Sequence, residues 1–403
     1  MSILIKNALV VAQDRQRSIA NANILVEGNT IKYVGIKEYG ADRVIEAKGM
    51  IAMPGLINTH THVAMSRFKG LLDDISLEGF LDKTFKLDAQ RSESDIYRSA
   101  MLGIKEMIDS GITSFLDLYY SEEIIAKAAK SAGIRAFLSW VTLDEQYTTQ
   151  RGNPLRNADR FIQKFKNDKL ISPSVGIQGV YVASDETMLK AKELSEKYGT
   201  LLHMHLAETS KEVSDYLGKT GERPAEHIVK IGIVSERLVA AHCIWLSRKE
   251  MKGLAKSRAN ASWNQISNSK LASGSMKVRE MLSMGINVAL GTDSSGSNNS
   301  LNMFEAMKYS ALHAKSLYGD ATAVPAQKIL DMATVDAARA LGRNDIGSIE
   351  IGKLADIVLL DARKPNLLPT NKGNVVNNIV YSANPSNVSY VIINGKIVKE
   401  TCR

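Results

Sequence analysis

The chain has seven histidines, at 60, 62, 203, 205, 227, 242 and 313, and four of them stand where apolar runs end. In an extended segment, side chains two apart point to the same side, so His60 and His62 can offer ring nitrogens to one cation. A lone His-x-His is a weak signal, because paired histidines on a strand are often only packed and hydrogen-bonded. This one gains weight from its place, directly after the buried-strand run Met53-Pro54-Gly55-Leu56-Ile57-Asn58. In the second cluster, His203-Met204-His205-Leu206-Ala207-Glu208, His205 ends a run and supplies a third nitrogen. His203 shares its face one layer deeper and reads as a core histidine. Glu208 alone reads as a cap of the next helix, beside the cap-like Thr209 and Ser210; beside His205 it reads as a carboxyl of raised pKa that shuttles protons. His242 ends Val239-Ala240-Ala241, and Asp293 lies in Gly291-Thr292-Asp293-Ser294 after the last apolar run.

Three imidazoles and one carboxylate, His60, His62, His205 and Asp293, suit a single divalent ion and leave a position for water. Zinc is the expected ion, with iron the alternative. Such an ion lowers the pKa of bound water from 15.7 toward ~7, and Asp293 can accept the released proton.

These residues must be brought together by the elements that carry them. Apolar runs at Ile51–Asn58, Ile112–Asp117, Ile134–Trp140, Val175–Val182, Thr200–Leu206, Leu238–His242, Ala259–Trp263 and Ile286–Gly291 alternate with helical stretches such as Ser94–Ser110, Glu122–Ala132, Asp185–Lys197 and Met276–Met284. Eight strand–helix units in the middle of 403 residues predict an α/β fold with a (β/α)8 TIM-type barrel, which needs only ~250 residues and works at the carboxyl ends of its strands. A doubly wound open sheet would carry a Gly-rich phosphate turn after its first strand, where this chain has Asn58-Thr59-His60-Thr61-His62. Both ends of the chain read as short strands with turns at Gly28-Asn29 and Asn394-Gly395. They predict a small β-sandwich domain built from residues 1–52 and 347–403 around a barrel at 53–346. His227 and His313 fall on helical stretches and read as structural or surface residues. The segment Ala64–Arg91 is long for a strand-to-helix connection and reads as a lid over the barrel mouth, or else as a subunit interface.

Composition narrows the function classes. Hydrophobic content of 44% and charged content of 23% are ordinary for a globular domain. No apolar run reaches the length of a membrane span, and the first residues lack a signal-peptide pattern. The net charge of +8 is spread along the chain, without a basic run or aromatic interleaving, which argues against a nucleic-acid partner. Two distant cysteines, Cys243 and Cys402, form no disulfide framework, and a reducing cytoplasm is the expected compartment.

At these residues the sequence resembles the amidohydrolase superfamily. Within it the chain is similar to the aminohydrolase group of S-adenosylhomocysteine and methylthioadenosine deaminases, guanine and cytosine deaminases and triazine hydrolases. The matching motifs are Pro54-Gly55-Leu56-Ile57-Asn58-Thr59-His60-Thr61-His62, His205-Leu206-Ala207-Glu208-Thr209, Ala241-His242-Cys243, Gly291-Thr292-Asp293-Ser294 with Asn298-Asn299-Ser300, and Gly352-Lys353-Leu354-Ala355-Asp356. The resemblance implies His60, His62, His205 and Asp293 as ligands, and Glu208, His242 and Asp293 as the catalytic groups of a deaminase. The fourth strand has no lysine to bridge two metals, which implies a mononuclear site. It further implies a small heterocyclic substrate, water as co-substrate and a homo-oligomer.

Departures from that pattern fall where substrate is held. Gln178 stands where adenosine-type deaminases have a histidine, Trp140 where they have an arginine, and Asp88 near the place of a ribose-binding glutamate. Trp263-Asn264-Gln265 replaces their His-Asn-Pro, while Ser267-Asn268 and Lys270-Leu271 match. Trp140 and Trp263 either stack on a planar ring or are core aromatics. The expectation is retained chemistry in an altered pocket. A triazine-type chlorohydrolase or another hydrolase of non-peptide C–N bonds is the alternative, and a non-catalytic scaffold a second.

Overall fold

Gly55 divides one apolar run between two sheets. A Cβ there would lie 2.1 Å from the Thr113 hydroxyl oxygen, so only glycine lets the chain cross so close to its neighbour. The expected first barrel strand, Ile51–Asn58, is corrected accordingly: its first half belongs to the terminal sheet and its second half starts the barrel.

The computed structural model describes residues 1–75, 77–148 and 150–401. Its strands in chain order are β1 (Ser2–Val11), β2 (Ile19–Glu27), β3 (Thr30–Gly35), β4 (Arg43–Glu46), β5 (Met50–Pro54), β6 (Leu56–Thr61), β7 (Ile112–Tyr119), β8 (Arg135–Thr142), β9 (Ile171–Ile177), β10 (Leu202–Leu206), β11 (Leu238–His242), β12 (Asn260–Trp263), β13 (Asn287–Leu290), β14 (Ile357–Asp361), β15 (Val388–Ile393) and β16 (Lys396–Glu400). Strands β6 to β13 pair in parallel in sequence order, the arrangement of a (β/α)8 barrel. The seam between β13 and β6 is held by the Asp293 N–H on the His60 carbonyl at 2.9 Å and by the Thr59 hydroxyl on the Leu290 carbonyl at 2.9 Å. The other eight strands form a mixed sheet drawn from both termini, in the order β16-β15-β14-β5-β1-β2-β3 with β4 beside β1.

The fourth barrel strand spans Ile171–Ile177, earlier than the expected Val175–Val182, and includes Pro173. Pro173 lies opposite Leu138 of β8, but β10 joins β9 only from Val175 onward. Proline therefore sits where one side of the strand has no ladder to supply. The shift places Gln178 just past the strand end.

The main core fills the space between barrel and helices, and a second core lies against the terminal sheet. A third, with Ile57, Leu116, Phe137, Val239 and Ala289, is closed from below by the helix Val335–Ala340. Between β6 and β7 lie α1 (Leu77–Ala89) and α2 (Glu93–Asp109). The start of α2 is fixed by a reciprocal cap between Ser92 and Asp95. After β7 comes α3 (Glu122–Ala132). Among the described residues no helix is long and apolar enough to cross a membrane.

Barrel and terminal sheet are joined by a buried ion pair. Arg135 at the start of β8 places its Nε 3.0 Å from Asp356 Oδ2, with both side chains 3% exposed or less. Asp356 also accepts the Asn394 N–H at 2.7 Å. Removing the carboxylate leaves a buried guanidinium without counter-charge, so Asp356→Ala is expected to lower unfolding free energy by ~3–5 kcal/mol. Urea denaturation checks this, and an unchanged midpoint would contradict it.

Candidate active site

Each histidine at the carboxyl end of the barrel has one ring nitrogen already engaged. The Nδ1 of His62 donates to the Leu118 carbonyl at 2.6 Å, and that of His205 to the Gln178 carbonyl at 2.8 Å. A carbonyl can only accept, so both rings carry a proton on Nδ1 and turn Nε2 into the mouth. His60 Nδ1 meets His203 Nε2 at 2.9 Å, and His203 in turn approaches the Ser139 hydroxyl. His203 is thus a core residue that also orients a ligand. The nitrogens of His60, His62 and His205 lie within 4.8 Å of one another, and His60, His242 and Asp293 form a second such group.

Asp293 completes the set. Its Oδ1 lies 3.5 Å from His60 Nε2 and 3.4 Å from His62 Nε2. The carboxylate is steered by the Ser267 hydroxyl on Oδ2 at 2.5 Å and by the Ser294 N–H on Oδ1 at 2.7 Å. Burial opposes its ionisation, yet the close approach of His60, with His242 and His62, holds it well below the usual carboxylate range. Burial lowers His60 to about 4 and, with its histidine neighbours, keeps His205 well below its ordinary value. Neutral imidazoles beside an ionised carboxylate are what a divalent cation requires. His60 Nε2 is buried with no hydrogen-bond partner, a deficit that a bound cation would remove. The residues therefore form a divalent-metal-binding site.

Glu208 and His242 stand beside it, with His242 Nε2 3.9 Å from Glu208 Oε2. Burial raises the Glu208 carboxyl. His242 is buried too, but Glu208 and Asp293 raise it above its ordinary value, while its Nδ1 is held by Asn268 Oδ1 at 2.9 Å. Thr209 caps the following helix, its hydroxyl accepting the Glu212 N–H, so Glu208 is free of that duty. Glu212, which the sequence did not single out, accepts the N–H groups of Ala207 and Glu208 at 2.9 and 2.7 Å and fixes the loop. Its signal was present: a glutamate three residues after Thr209 is the second half of a capping pattern.

Residues 51–398 match the model of the amidohydrolase family. The chain belongs to the amidohydrolase family. It is 39% identical to a 5-methylthioadenosine/S-adenosylhomocysteine deaminase of Caldanaerobacter subterraneus subsp. tengcongensis, over 99% of this chain and 93% of that one. It is 39% identical to a 5′-deoxyadenosine deaminase of Methanosarcina mazei, over 100% and 93%. Its fold matches an adenosine deaminase of Xanthomonas campestris with bound zinc at TM-score 0.95 and 29% identity, covering 99% and 93%. An atrazine chlorohydrolase of Arthrobacter aurescens shares the fold at TM-score 0.92 and 23% identity, covering 99% and 95%.

In this amidohydrolase the ligand cluster opens into a cavity of about 370 Å³, walled by Met65, Phe80, Thr84, Phe85 and Asp88 from the long segment after β6. Ser76 of that segment lies outside the described residues. Gln178 and Asp88 reach the cavity. The Asp88 carboxylate is already bound by Tyr119 and by Arg91, the latter at 3.0 Å. Trp140 and Trp263 are not brought to it. Ser139 faces the barrel interior toward His203, so alternation sends Trp140 outward against Phe161, with its indole N–H on Gln150. Ser262 likewise faces inward, and Trp263 is buried outside the barrel with its N–H on Gln265. His227 ties Glu222 to Asp185, and His313 meets Ser275. Both lie away from the site.

Behind His62 lie two buried carboxyls. Asp117 accepts the Val63 N–H at 2.6 Å, Glu122 accepts the Tyr119 N–H at 3.0 Å, and the remaining oxygen of each has no partner. Burial raises Asp117 to about 8, and burial together with Asp117 raises Glu122 well above its ordinary value. Both therefore stay protonated in the folded chain where the unfolded chain has released its protons. Stability from this pair is full below ~4 and declines as pH rises through about 8. Glu122→Gln keeps an acceptor for Tyr119 and removes one titration. Melting temperatures across that range are expected to fall less steeply for the variant, and parallel curves would contradict the shared burden. A second expectation concerns His203. Replacement by Ala releases His60 and should weaken metal affinity by roughly 10–100-fold, read by competition with a chromogenic chelator.

Proposed function

We propose that this amidohydrolase is a zinc-dependent aminohydrolase that releases ammonia from an amino-substituted nitrogen heterocycle, an adenine nucleoside first among them. The observation that carries the proposal is the pairing of the partly buried Glu208 with the buried His242 beside the ligand cluster. The relatives named as methylthioadenosine, S-adenosylhomocysteine and 5′-deoxyadenosine deaminases support the substrate class.

His60, His62, His205 and Asp293 would hold the zinc ion, which when bound would lower the pKa of water toward neutrality and so supply the nucleophile. Glu208, with its carboxyl raised by burial, holds a proton on Oε2 and gives it to the ring nitrogen beside the carbon under attack. The ring then need not carry negative charge in the tetrahedral state. Asp293 Oδ1 takes the proton lost by water and delivers it to the amino group while His242 Nε2 stabilises the developing charge; Glu208 takes back the proton of the new hydroxyl as the carbonyl forms, and ammonia leaves. Amine and water become carbonyl and ammonia, so the balance is closed. The apolar wall from α1 excludes water from the reacting ring and closes over it. The unpaired buried thiol of Cys243 is in keeping with a reducing cytoplasm.

Glu208→Gln keeps the shape but cannot cycle a proton. It is expected to lower kcat by roughly 10²–10⁴-fold while metal content stays at the wild-type level. The assay is ammonia release from 5′-deoxyadenosine, methylthioadenosine, guanine and cytosine, with chloride release from a chlorotriazine in parallel. Chloride without ammonia would replace the deaminase reading with the chlorohydrolase one.

A further inference from the structure

The opposite end of the barrel has a larger cavity that the reaction does not use. It encloses about 770 Å³ at the amino-terminal ends of β9 to β13, between those strands and the turn after the helix Val335–Ala340. Five basic side chains line it: Lys166, Arg237, Arg258, Arg339 and Arg343. Only two carboxylates, Asp168 and Glu236, do so, and both are already taken. Asp168 is paired with Lys130 at 2.5 Å, and Glu236 with Arg258 at 2.7 Å.

The remaining cations divide into two kinds. Arg339 and Arg343 are held in place by Asp336 at 3.1 Å and Asp345 at 2.6 Å. Lys166 and Arg237 make no side-chain hydrogen bond or ion pair with any described residue. The hydroxyl of Thr200, also on the wall, is buried without a partner. An arginine fork, a lysine ammonium and a hydroxyl donor, all unsatisfied around one concavity, are the donor set that a phosphate dianion fills. The floor is of different character. Phe137, Ile162, Ile171 and Leu341 are buried apolar residues on the same wall, and Arg343 lies over the Phe137 ring at 5.9 Å. An inorganic anion would leave most of the cavity of about 770 Å³ unfilled. A ligand with a phosphate at one end and a larger body would use both the donors and the volume, which falls within the range for a small-molecule site.

We propose that the amino-terminal face of this barrel is a binding site for a nucleotide-sized organic phosphate, anchored by Arg237 and Lys166. The site is separate from the metal centre, at the other end of the same strands, and the proposal is independent of the deaminase reading.

The test is isothermal titration calorimetry of the metal-loaded enzyme with adenosine 5′-monophosphate and, separately, with inorganic phosphate. Wild type and the double variant Lys166→Ala, Arg237→Ala are compared. Both side chains are exposed, and an unchanged melting temperature confirms that the variant folds. Adenosine 5′-monophosphate is expected to bind wild type more tightly than phosphate does, to weaken as salt rises, and to lose about tenfold or more in the double variant. Equal affinity in the two proteins would place the nucleotide in the metal-site cavity and overturn the proposal. Absence of binding by either probe would overturn it as well. Equal affinity of phosphate and nucleotide for wild type would remove the role of the cavity beyond its anion-binding donors, and with it the nucleotide-sized ligand.

Discussion

Four imidazoles and a carboxylate crowd the carboxyl end of this barrel, where water is largely excluded. Charged imidazoles would repel one another there, so the arrangement depends on each ring's proton being placed. The Leu118 and Gln178 carbonyls fix it for His62 and His205, His203 pairs with His60, and Asn268 holds His242. Those four contacts make the outward nitrogens available to a cation at the same time as they fix the rings' orientation. The strands serve this purpose: Leu118 is on β7 and Gln178 follows β9, so the position of one strand's end sets the tautomer of a histidine on another.

The same constraint explains the strained backbone around the mouth. Ala241 lies in register with His205 and Ser262, in the row that faces the interior. Regular alternation would therefore turn His242 outward. Instead His242 and Cys243 both take left-handed conformations, φ 73° and 49°, which swing the imidazole back toward Glu208. Asp293 and Ala207 also have positive φ, 62° and 50°. Such conformations cost ~1–3 kcal/mol each when the residue is not glycine, and their concentration at one end of the barrel marks where stability gives way to chemistry. Gly291 contributes differently. A Cβ there would lie 2.3 Å from Asn264 Oδ1 and 3.0 Å from the His60 Cβ, so its bareness allows β13 to close against β6.

The two ends of the barrel divide the electrostatic roles. At the carboxyl end, carboxylates and neutral histidines favour a cation. At the amino end, Arg237 and Lys166, which have no side-chain partner among the described residues, favour an anion. The buried Arg135–Asp356 pair lies between barrel and terminal sheet, where each charge satisfies the other. The matching motif Gly352-Lys353-Leu354-Ala355-Asp356 thus has a definite contact through Asp356.

From the sequence alone, the alternation of apolar runs and helical stretches determined an eight-unit barrel. The positions of His60, His62, His205, His242 and Asp293 at the ends of those runs determined which residues meet, because side-chain period and strand polarity are local properties. Tertiary structure decided what depends on neighbours. It cut the first apolar run at Gly55, extended β9 back through Pro173, made His203 the partner of His60, and put Glu212 under the Glu208 loop. It also turned Trp140 and Trp263 away from the cavity. Their direction follows from strand parity, but parity acquires meaning only when Ser139 and Ser262 are seen to face the interior. The buried carboxyls Asp117 and Glu122 were silent in the sequence for a similar reason: burial, which sets their protonation, is a property of the packed whole and not of the residues themselves.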